Sequence, residues 1–245
     1  MKLAIAVPVY DNVESMFFQS MTTALSYLYE CNITDPDGNK VEFEVETFVC
    51  SGIIQEARHR LFFEAMRWDA DQILWCDSDH IFPKDAFVRL IAHGKDIVGT
   101  NYARRTQTGQ PTAPTAAVLN RAEADEKLCY TTKEKAEAGE LERVDHMGMG
   151  LCLMNMGVLE RLTLRAEEKG EKSFMPLFGW PEKEEGSGTG SIGEDVHFFN
   201  KCRDAGLDVW VDHGLSWEVG HICKRVLTHA HVEQQREQWN REASE

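Results

Sequence analysis

No two of the seven cysteines in this sequence form a C-x-x-C pair. Cys31, Cys50, Cys76, Cys129, Cys152, Cys202 and Cys223 stand singly and several lie in apolar runs. That argues against a zinc ribbon or a disulfide framework and for a reducing compartment. Positive charge is also scarce: 26 Lys and Arg face 41 Asp and Glu, a net charge of -15. Such a balance speaks against a general nucleic-acid or anionic-membrane surface and leaves room only for a local basic patch. No run approaches the ~18 apolar residues of a membrane-spanning helix. The apolar N-terminus, residues 1–8, is shorter than a secretory core segment, so a cytoplasmic protein is expected. The first strand–helix junction, Pro8-Val9-Tyr10-Asp11-Asn12, has neither a glycine-rich phosphate loop nor a Walker lysine. A dinucleotide or P-loop site is not supported there.

What is present is ordinary globular material. Hydrophobic residues make up 42% and charged residues 27% of 245, enough for one large domain with a sizeable core. The first 102 residues alternate strands and helices. Leu3 to Val7 reads as a buried strand, and a helix capped by Asp11 or Asn12 follows to about Glu30. Its expected inward residues are Met16, Phe17, Ala24, Leu25 and Leu28. Residues 41–49 alternate as a one-sided strand, 54–68 are helical, 72–76 are a buried strand, a helix begins near Pro83, and 96–102 are a further strand. This βαβαβαβ order implies a mostly parallel sheet with right-handed crossovers.

The central strand ends in Asp77-Ser78-Asp79. The chain holds two other D-x-D triplets, but Asp35-Pro36-Asp37 sits in a turn sequence and Asp69-Ala70-Asp71 has polar neighbours. Only the third closes an apolar run, and ligands of open α/β sheets bind outside the carboxyl ends of strands. Residues i and i+2 of an extended segment share a side, so Asp77 and Asp79 can face one ligand. Carboxylates with substrate phosphates suit Mg²⁺ or Mn²⁺. Arg58, in the helix after Ser51-Gly52, is either a surface cation or a partner for a diphosphate or base.

Beyond Tyr102 the pattern loosens. Short strands are expected near 115–119, 127–132 and 141–146, with residues 133–140 as a solvated excursion. Gly148-Met149-Gly150 before an apolar strand permits close approach of a ligand or makes a tight bend in the sheet. Val158 to Lys169 reads as a helix. Residues 179–193 are acidic, with glycines at 179, 186, 188, 190 and 193, and read as a mobile lid carrying Trp180. Glu194-Asp195 opens a helix ending at Gly206, a place where acids also serve simply as helix-dipole partners. Val209 to Asp212 is a strand, Trp217 to His221 ends the core, and 229–245 reads as a helical tail.

Taken together, the Pro8/Tyr10/Asp11 loop, Ser51-Gly52 with Arg58, Asp77-Ser78-Asp79, Gly148-x-Gly150, Glu194-Asp195 and the late His221 resemble a family-2-type glycosyltransferase of the GT-A fold. The likeness is to the short soluble members found in phages and prophages, and it spans roughly residues 3–222. One departure is Arg58-His59, where those enzymes usually read Arg-Asn. The resemblance implies an α/β, Rossmann-like, mostly parallel mixed sheet flanked by helices. Residues 1–102 would form the donor half and 103–228 the acceptor and catalytic half of the same domain. It also implies a nucleoside-diphosphate sugar donor and Mn²⁺ or Mg²⁺. By position, Pro8, Tyr10, Asp11, Ser51, Arg58, Asp77 and Ser78 would border the donor. Asp77, Asp79 and His221 would hold the metal, although a lone histidine is more often structural. Gly148, Met149, Gly150 and Trp180 would line the acceptor side. Asp195 would be the base and Glu194 its neighbour, in an inverting reaction unless the enzyme is a retaining variant.

Two other readings fit parts of the pattern. A nucleotidyltransferase would carry a glycine-rich Arg/Lys signature after the first strand, which this chain lacks. A non-catalytic nucleotide-sugar or carbohydrate-binding module would not need Asp195. The acceptor is open: a small molecule, a glycan, a protein, or a modified phage DNA base met by Arg104, Arg105 and Arg121.

Overall fold

The computed structural model describes residues 1–33, 40–105, 112–120, 125–168, 177–179 and 193–223. The first apolar run forms β1 (Lys2–Val9), buried from Leu3 onward. After it come α1 (Ser15–Glu30), β2 (Glu44–Ser51), α2 (Ile54–Arg67) and β3 (Gln72–Cys76). The next elements are β4 (His80–Ile81), α3 (Ala86–Ala92), β5 (Ile97–Gly99), β6 (Ala117–Asn120) and β7 (Asp125–Leu128). The described chain then runs through α4 (Lys133–Glu137), β8 (Leu141–Val144), β9 (Leu151–Asn155), α5 (Met156–Glu168) and α6 (Glu194–Asp204). It closes with β10 (Val209–Asp212), α7 (His213–Glu218) and β11 (Gly220–His221).

Seven strands form one sheet in the order β2-β1-β3-β9-β5-β10-β8. β2 and β3 flank β1 in parallel, and β10 runs parallel to β5. β9 lies antiparallel between β3 and β5, and β8 lies antiparallel to β10. Strands β1, β2, β3, β5 and β10 therefore point one way, and β8 and β9 oppose them. This is the mixed α/β sheet flanked by helices that the sequence implies. Alternation along β1 and β3 builds a core on each face. Ala4, Ala6, Ile73 and Trp75 meet Leu61, Phe62 and Ala65 of α2 and Phe198, Phe199 and Cys202 of α6. Leu3, Ile5, Val7, Leu74 and Cys76 meet Phe17, Met21, Ala24 and Leu28 of α1 and Phe87 and Leu90 of α3.

Several local expectations change. α1 starts at Ser15 with Glu14 at its cap position, and no side chain caps it. Asp11 and Asn12 are left exposed, because the loop is held instead by the Glu14 N–H donating to the Ser78 carbonyl at 3.2 Å. The buried face then runs Phe17, Met21, Ala24, Leu28, a regular helical stripe, and Met16 turns outward at 54% exposure. Within the solvated excursion, Lys133–Glu137 forms a turn of helix capped by the Thr132 hydroxyl, which accepts the Lys135 N–H at 3.3 Å. Residues His213–Glu218, Trp217 among them, form α7, which the sequence reading did not anticipate; Asp212 caps it by accepting the Leu215 N–H at 2.8 Å. Trp180, most of the expected lid and the 229–245 tail lie outside the described residues. Among the described residues no helix is long and apolar enough to cross a membrane.

Candidate functional site

Asp77 and Asp79 leave the sheet at the carboxyl end of β3. The Asp77 N–H donates to the Gly150 carbonyl at 2.9 Å, and the chain then turns, with the His80 N–H donating to the Asp77 carbonyl at 3.1 Å. β4 pairs with β11, placing His80 opposite His221, and the Ile222 N–H donates to the Asp79 carbonyl at 2.7 Å. The backbone of Asp79 is thus pinned from both sides. Its Oδ1 lies 3.1 Å from His80 Nδ1, and its Oδ2 lies 3.0 Å from Arg105 Nη1 and 3.5 Å from His221 Nε2. Burial alone would raise the Asp79 carboxyl. The contacts with His221 and His80 and the charge of Arg105 outweigh it and hold the group well below the usual carboxylate range.

Asp77 turns elsewhere. Extended structure ends at Cys76 and residues 78–79 form a turn, so the two acids do not share a side as strand residues would. Asp77 Oδ1 pairs with Arg58 Nη2 at 3.2 Å, while Asp79, His80 and His221 form the group whose ligand atoms lie within 4.8 Å of one another. Arg58 is no surface cation: it is 2% exposed and lies over the Trp75 ring, 5.6 Å from its centroid. Its Nε faces Glu194 Oε1 at 3.7 Å, an ion pair too long for a hydrogen bond, and Nε and Nη1 are buried without a hydrogen-bond partner among the described residues. Burial works against the guanidinium charge, but Asp77 and Glu194 more than compensate and raise it. Burial raises the Glu194 carboxyl, Arg58 opposes, and the nearby charges of Asp195 and Asp77 add to the rise.

Arg58 therefore bridges the end of β3 to the first turn of α6, where Asp195 Oδ1 accepts the Val196 N–H at 2.7 Å. Tyr102 lies between these parts. Its phenol is pushed well up by burial and by the charges of Asp77 and Asp195. The Tyr102 hydroxyl accepts the Gly150 N–H at 3.1 Å, and the ring stands edge-on to His80 with centroids 4.2 Å apart.

This packing accounts for the Gly148-x-Gly150 pattern. A Cβ at Gly148 would come within 2.2 Å of the Tyr102 hydroxyl oxygen, and one at Gly150 within 2.4 Å of His80 Cε1. Both glycines make room for the side chains of Tyr102 and His80. Met149, expected on the acceptor side, is fully buried in the core, so its side chain is closed to a ligand. At the neighbouring strand ends, Pro8 is buried within β1 while Tyr10 is 82% exposed and Asp11 and Ser51 are open. Val9 registers with Ser51, and the Gly52 N–H donates to the Val9 carbonyl at 3.2 Å, so these residues form one rim. Ser78 is buried, its hydroxyl 3.5 Å from the Asn12 carbonyl.

Sequence reasoning missed His80 and Tyr102, and read Arg105 only as part of a basic edge for a DNA acceptor rather than as a partner of Asp79. His80 directly follows Asp79 and could have been found by treating Asp77-Ser78-Asp79-His80 as one unit. The positions of Tyr102 and Arg105 depend on how the chain folds back after β5, which has no local signature.

The residues fit a divalent cation. His221 Nδ1 lies 3.0 Å from the Ala103 carbonyl, which can only accept a hydrogen bond. With its proton on Nδ1, the ring would leave Nε2, 3.5 Å from Asp79 Oδ2, free to share a cation with that oxygen.

No family model matches the sequence, and no curated protein matches it. Among solved structures the chain is similar to A197 from STIV, at 13% identity and TM-score 0.46, over 93% of this chain and 97% of that one. It is also similar to GalNAc-T7 in a crystal structure with UDP, GalNAc and Mn²⁺, at 11% identity and TM-score 0.53. That likeness covers 91% of this chain but 44% of that chain, so this protein spans under half the length of the enzyme it matches. The class defined is an α/β domain of GT-A-like fold that carries a cluster of possible metal ligands at the end of its central strand.

Proposed function

We propose that this protein is a metal-dependent glycosyltransferase that moves a sugar from a nucleoside-diphosphate sugar to a hydroxyl acceptor. The observation that carries the reading is the pairing of Asp79 with His221 Nε2, whose ring is oriented through Nδ1 by the Ala103 carbonyl. The UDP and Mn²⁺ in the GalNAc-T7 structure lend it support by fold.

In this reading Asp79 and His221 hold the ion, and the stacked His80, 4.5 Å from the His221 ring, orients the Asp79 carboxylate. Arg105, paired with Asp79, would be released by an ion there and be available to the diphosphate. Tyr10, Asp11, Ser51, Pro8 and Ser78 border the base and ribose, with exposed Tyr10 offering its ring to the base. Residues 1–102 make the donor half and 103–228 the acceptor half. An ion held by Asp79 and His221 would supply Lewis-acid neutralisation of charge on the departing diphosphate. Asp77, paired with Arg58, contacts the ribose. Arg58 holds Asp77 and Glu194 in register, so that the donor end of the site and the first turn of α6 move as one. Asp195 takes the proton from the acceptor hydroxyl as its oxygen forms a bond to the anomeric carbon and the bond to the diphosphate oxygen breaks.

The test is a thermal-shift screen of nucleotides and nucleotide sugars with and without Mn²⁺. A ligand that binds only the native state raises the melting temperature. A shift that requires both nucleoside diphosphate and Mn²⁺, and that Asp79→Ala abolishes, is expected. The same shift in Asp79→Ala would refute the assignment.

A further inference from the structure

A second cluster lies apart from the residues assigned above, on the β8–β10 side of the sheet. Glu142 Oε2, on β8, receives three groups. Cys129 Sγ lies 3.1 Å away, His213 Nε2 lies 2.8 Å away, and the Lys135 ammonium is in direct contact. Cys129 follows β7 and His213 opens α7, so three separate segments meet at one carboxylate. Cys129 and His213 are buried, with His213 fully so, while Glu142 and Lys135 reach partly to solvent.

We propose that Cys129, Glu142 and His213 form a metal site for a thiophilic divalent ion such as Zn²⁺, independent of the glycosyl-transfer reading. A thiolate, an imidazole and a carboxylate are the donors zinc takes, at about 2.3, 2.0 and 2.0–2.2 Å. An ideal tetrahedron with those bonds separates its ligand atoms by about 3.3–3.8 Å. The three ligand atoms lie within 4.8 Å of one another, with Glu142 Oε2 drawn in closer than that to both partners. A retreat of the carboxylate by roughly half an ångström opens the position, and its partial exposure gives it room.

The surrounding groups suit that change. His213 Nδ1 lies 2.8 Å from the Thr131 hydroxyl, which itself lies 3.3 Å from Asn101 Nδ2. A hydroxyl can donate or accept, so Thr131 serves either imidazole tautomer and leaves Nε2 free to ligate. Asn101 Nδ2 also donates to the Cys129 carbonyl at 2.7 Å, fixing the backbone that carries the sulfur. The Lys135 ammonium provides positive charge on the carboxylate where the ion would add its own, so it must swing out to Glu140, 3.7 Å away, or to solvent. Burial and the neighbouring Glu142 push the Cys129 thiol up to about 12. In the metal-free site the thiol proton is donated in a hydrogen bond to Glu142 Oε2 at 3.1 Å. On binding, the sulfur–metal bond forms and that proton leaves to solvent, which makes binding tighter as pH rises.

Cobalt(II) titration of the chelator-stripped full chain tests this, because a thiolate ligand gives a near-ultraviolet charge-transfer band that oxygen and nitrogen donors do not. One equivalent producing that band, displaced by Zn²⁺ and lost in Cys129→Ser, is expected. The band should persist in Asp79→Ala, which separates this site from the one assigned to donor binding, and in Cys223→Ser, which removes the exposed cysteine beside His221. Lys135→Ala, at a partly exposed position that spares the core, should lower the cobalt concentration for half-saturation severalfold. No thiolate band, a band that survives Cys129→Ser or disappears in Cys223→Ser, or unchanged half-saturation in Lys135→Ala would each overturn the proposal.

Discussion

Asp79 and Glu142 are each met by an imidazole and by a basic side chain, yet their surroundings differ. Around Asp79 the basic group is Arg105, 61% exposed, and the donors are oxygen and nitrogen. His80 Nε2 and Arg58 Nε and Nη1 nearby are buried without hydrogen-bond partners among the described residues. Around Glu142 the thiol, imidazole and ammonium all converge at short range on one oxygen. Unpartnered buried polar atoms are rare and need a reason. His80 Nε2 is such an atom beside Asp79, whereas the Glu142 cluster is already closed on itself and, in the proposal above, opens only by displacing Lys135. In the proposed readings the first suits an exchanging ion and the second a retained one.

The contrast can be broken most severely at the catalytic end. Asp195→Asn keeps size and capping capacity but cannot accept a proton, so single-turnover transfer under saturating donor should fall by about 10²–10⁴-fold, with melting temperature and donor affinity retained. Near-normal transfer would remove Asp195 from the mechanism. Next is Arg58→Met, which strips the shared partner from Asp77 and Glu194. Removing one member of a buried ion pair costs about 3–5 kcal/mol. Chemical denaturation should show that loss, and a change under about 1 kcal/mol would mean the bridge contributes little.

Third is Gly150→Ala, whose Cβ would meet His80 and Tyr102. Overpacking of this kind costs about 1–3 kcal/mol. Gly157→Ala is the control: it is in α5 with nothing within 4 Å of its Cβ, and it should be neutral or stabilising. Equal melting temperatures for the two variants would contradict the packing account of the glycine pattern.

The smallest expected effect concerns acid. Burial raises the Glu142 carboxyl, but Lys135, Cys129 and His213 outweigh it and hold it at about 2, against 4.5 for a free side chain. A depressed carboxyl contributes stability that is fully present above the unfolded value and is lost as pH falls through the folded one. The metal-free protein should therefore lose part of its stability between about pH 4.5 and 2, and Glu142→Gln should flatten that part of the curve. An unchanged acid profile in Glu142→Gln would show that the cluster is not tight.

Much of this was legible in the chain because it is local. An apolar run that stops at Asp77, and a helix that starts at Glu194, are written in consecutive residues, and the structure places both at the carboxyl end of the sheet. The pairing of His80 with His221 was not legible. It depends on two-residue strands, β4 and β11, that have no periodicity to read. Arg58 was readable as important but not as buried, since its environment comes from Trp75 on β3 and Glu194 on α6. The glycines at 148 and 150 were legible as positions of close approach, but their neighbour Tyr102 was not, because it arrives from a distant part of the chain. The Cys129 cluster left no sequence trace, as its three ligands come from three segments that only the β8–β10 pairing and α7 bring together.

In the proposed function Asp79 and His221 hold a divalent ion for donor binding. Mn²⁺ binding to the full chain, followed by electron paramagnetic resonance with and without a nucleoside diphosphate, tests it most directly. The account expects one Mn²⁺ per chain whose affinity rises with the nucleotide, and loss of that binding in both Asp79→Asn and His221→Ala while the fold is kept. Wild-type Mn²⁺ binding in folded Asp79→Asn would contradict it.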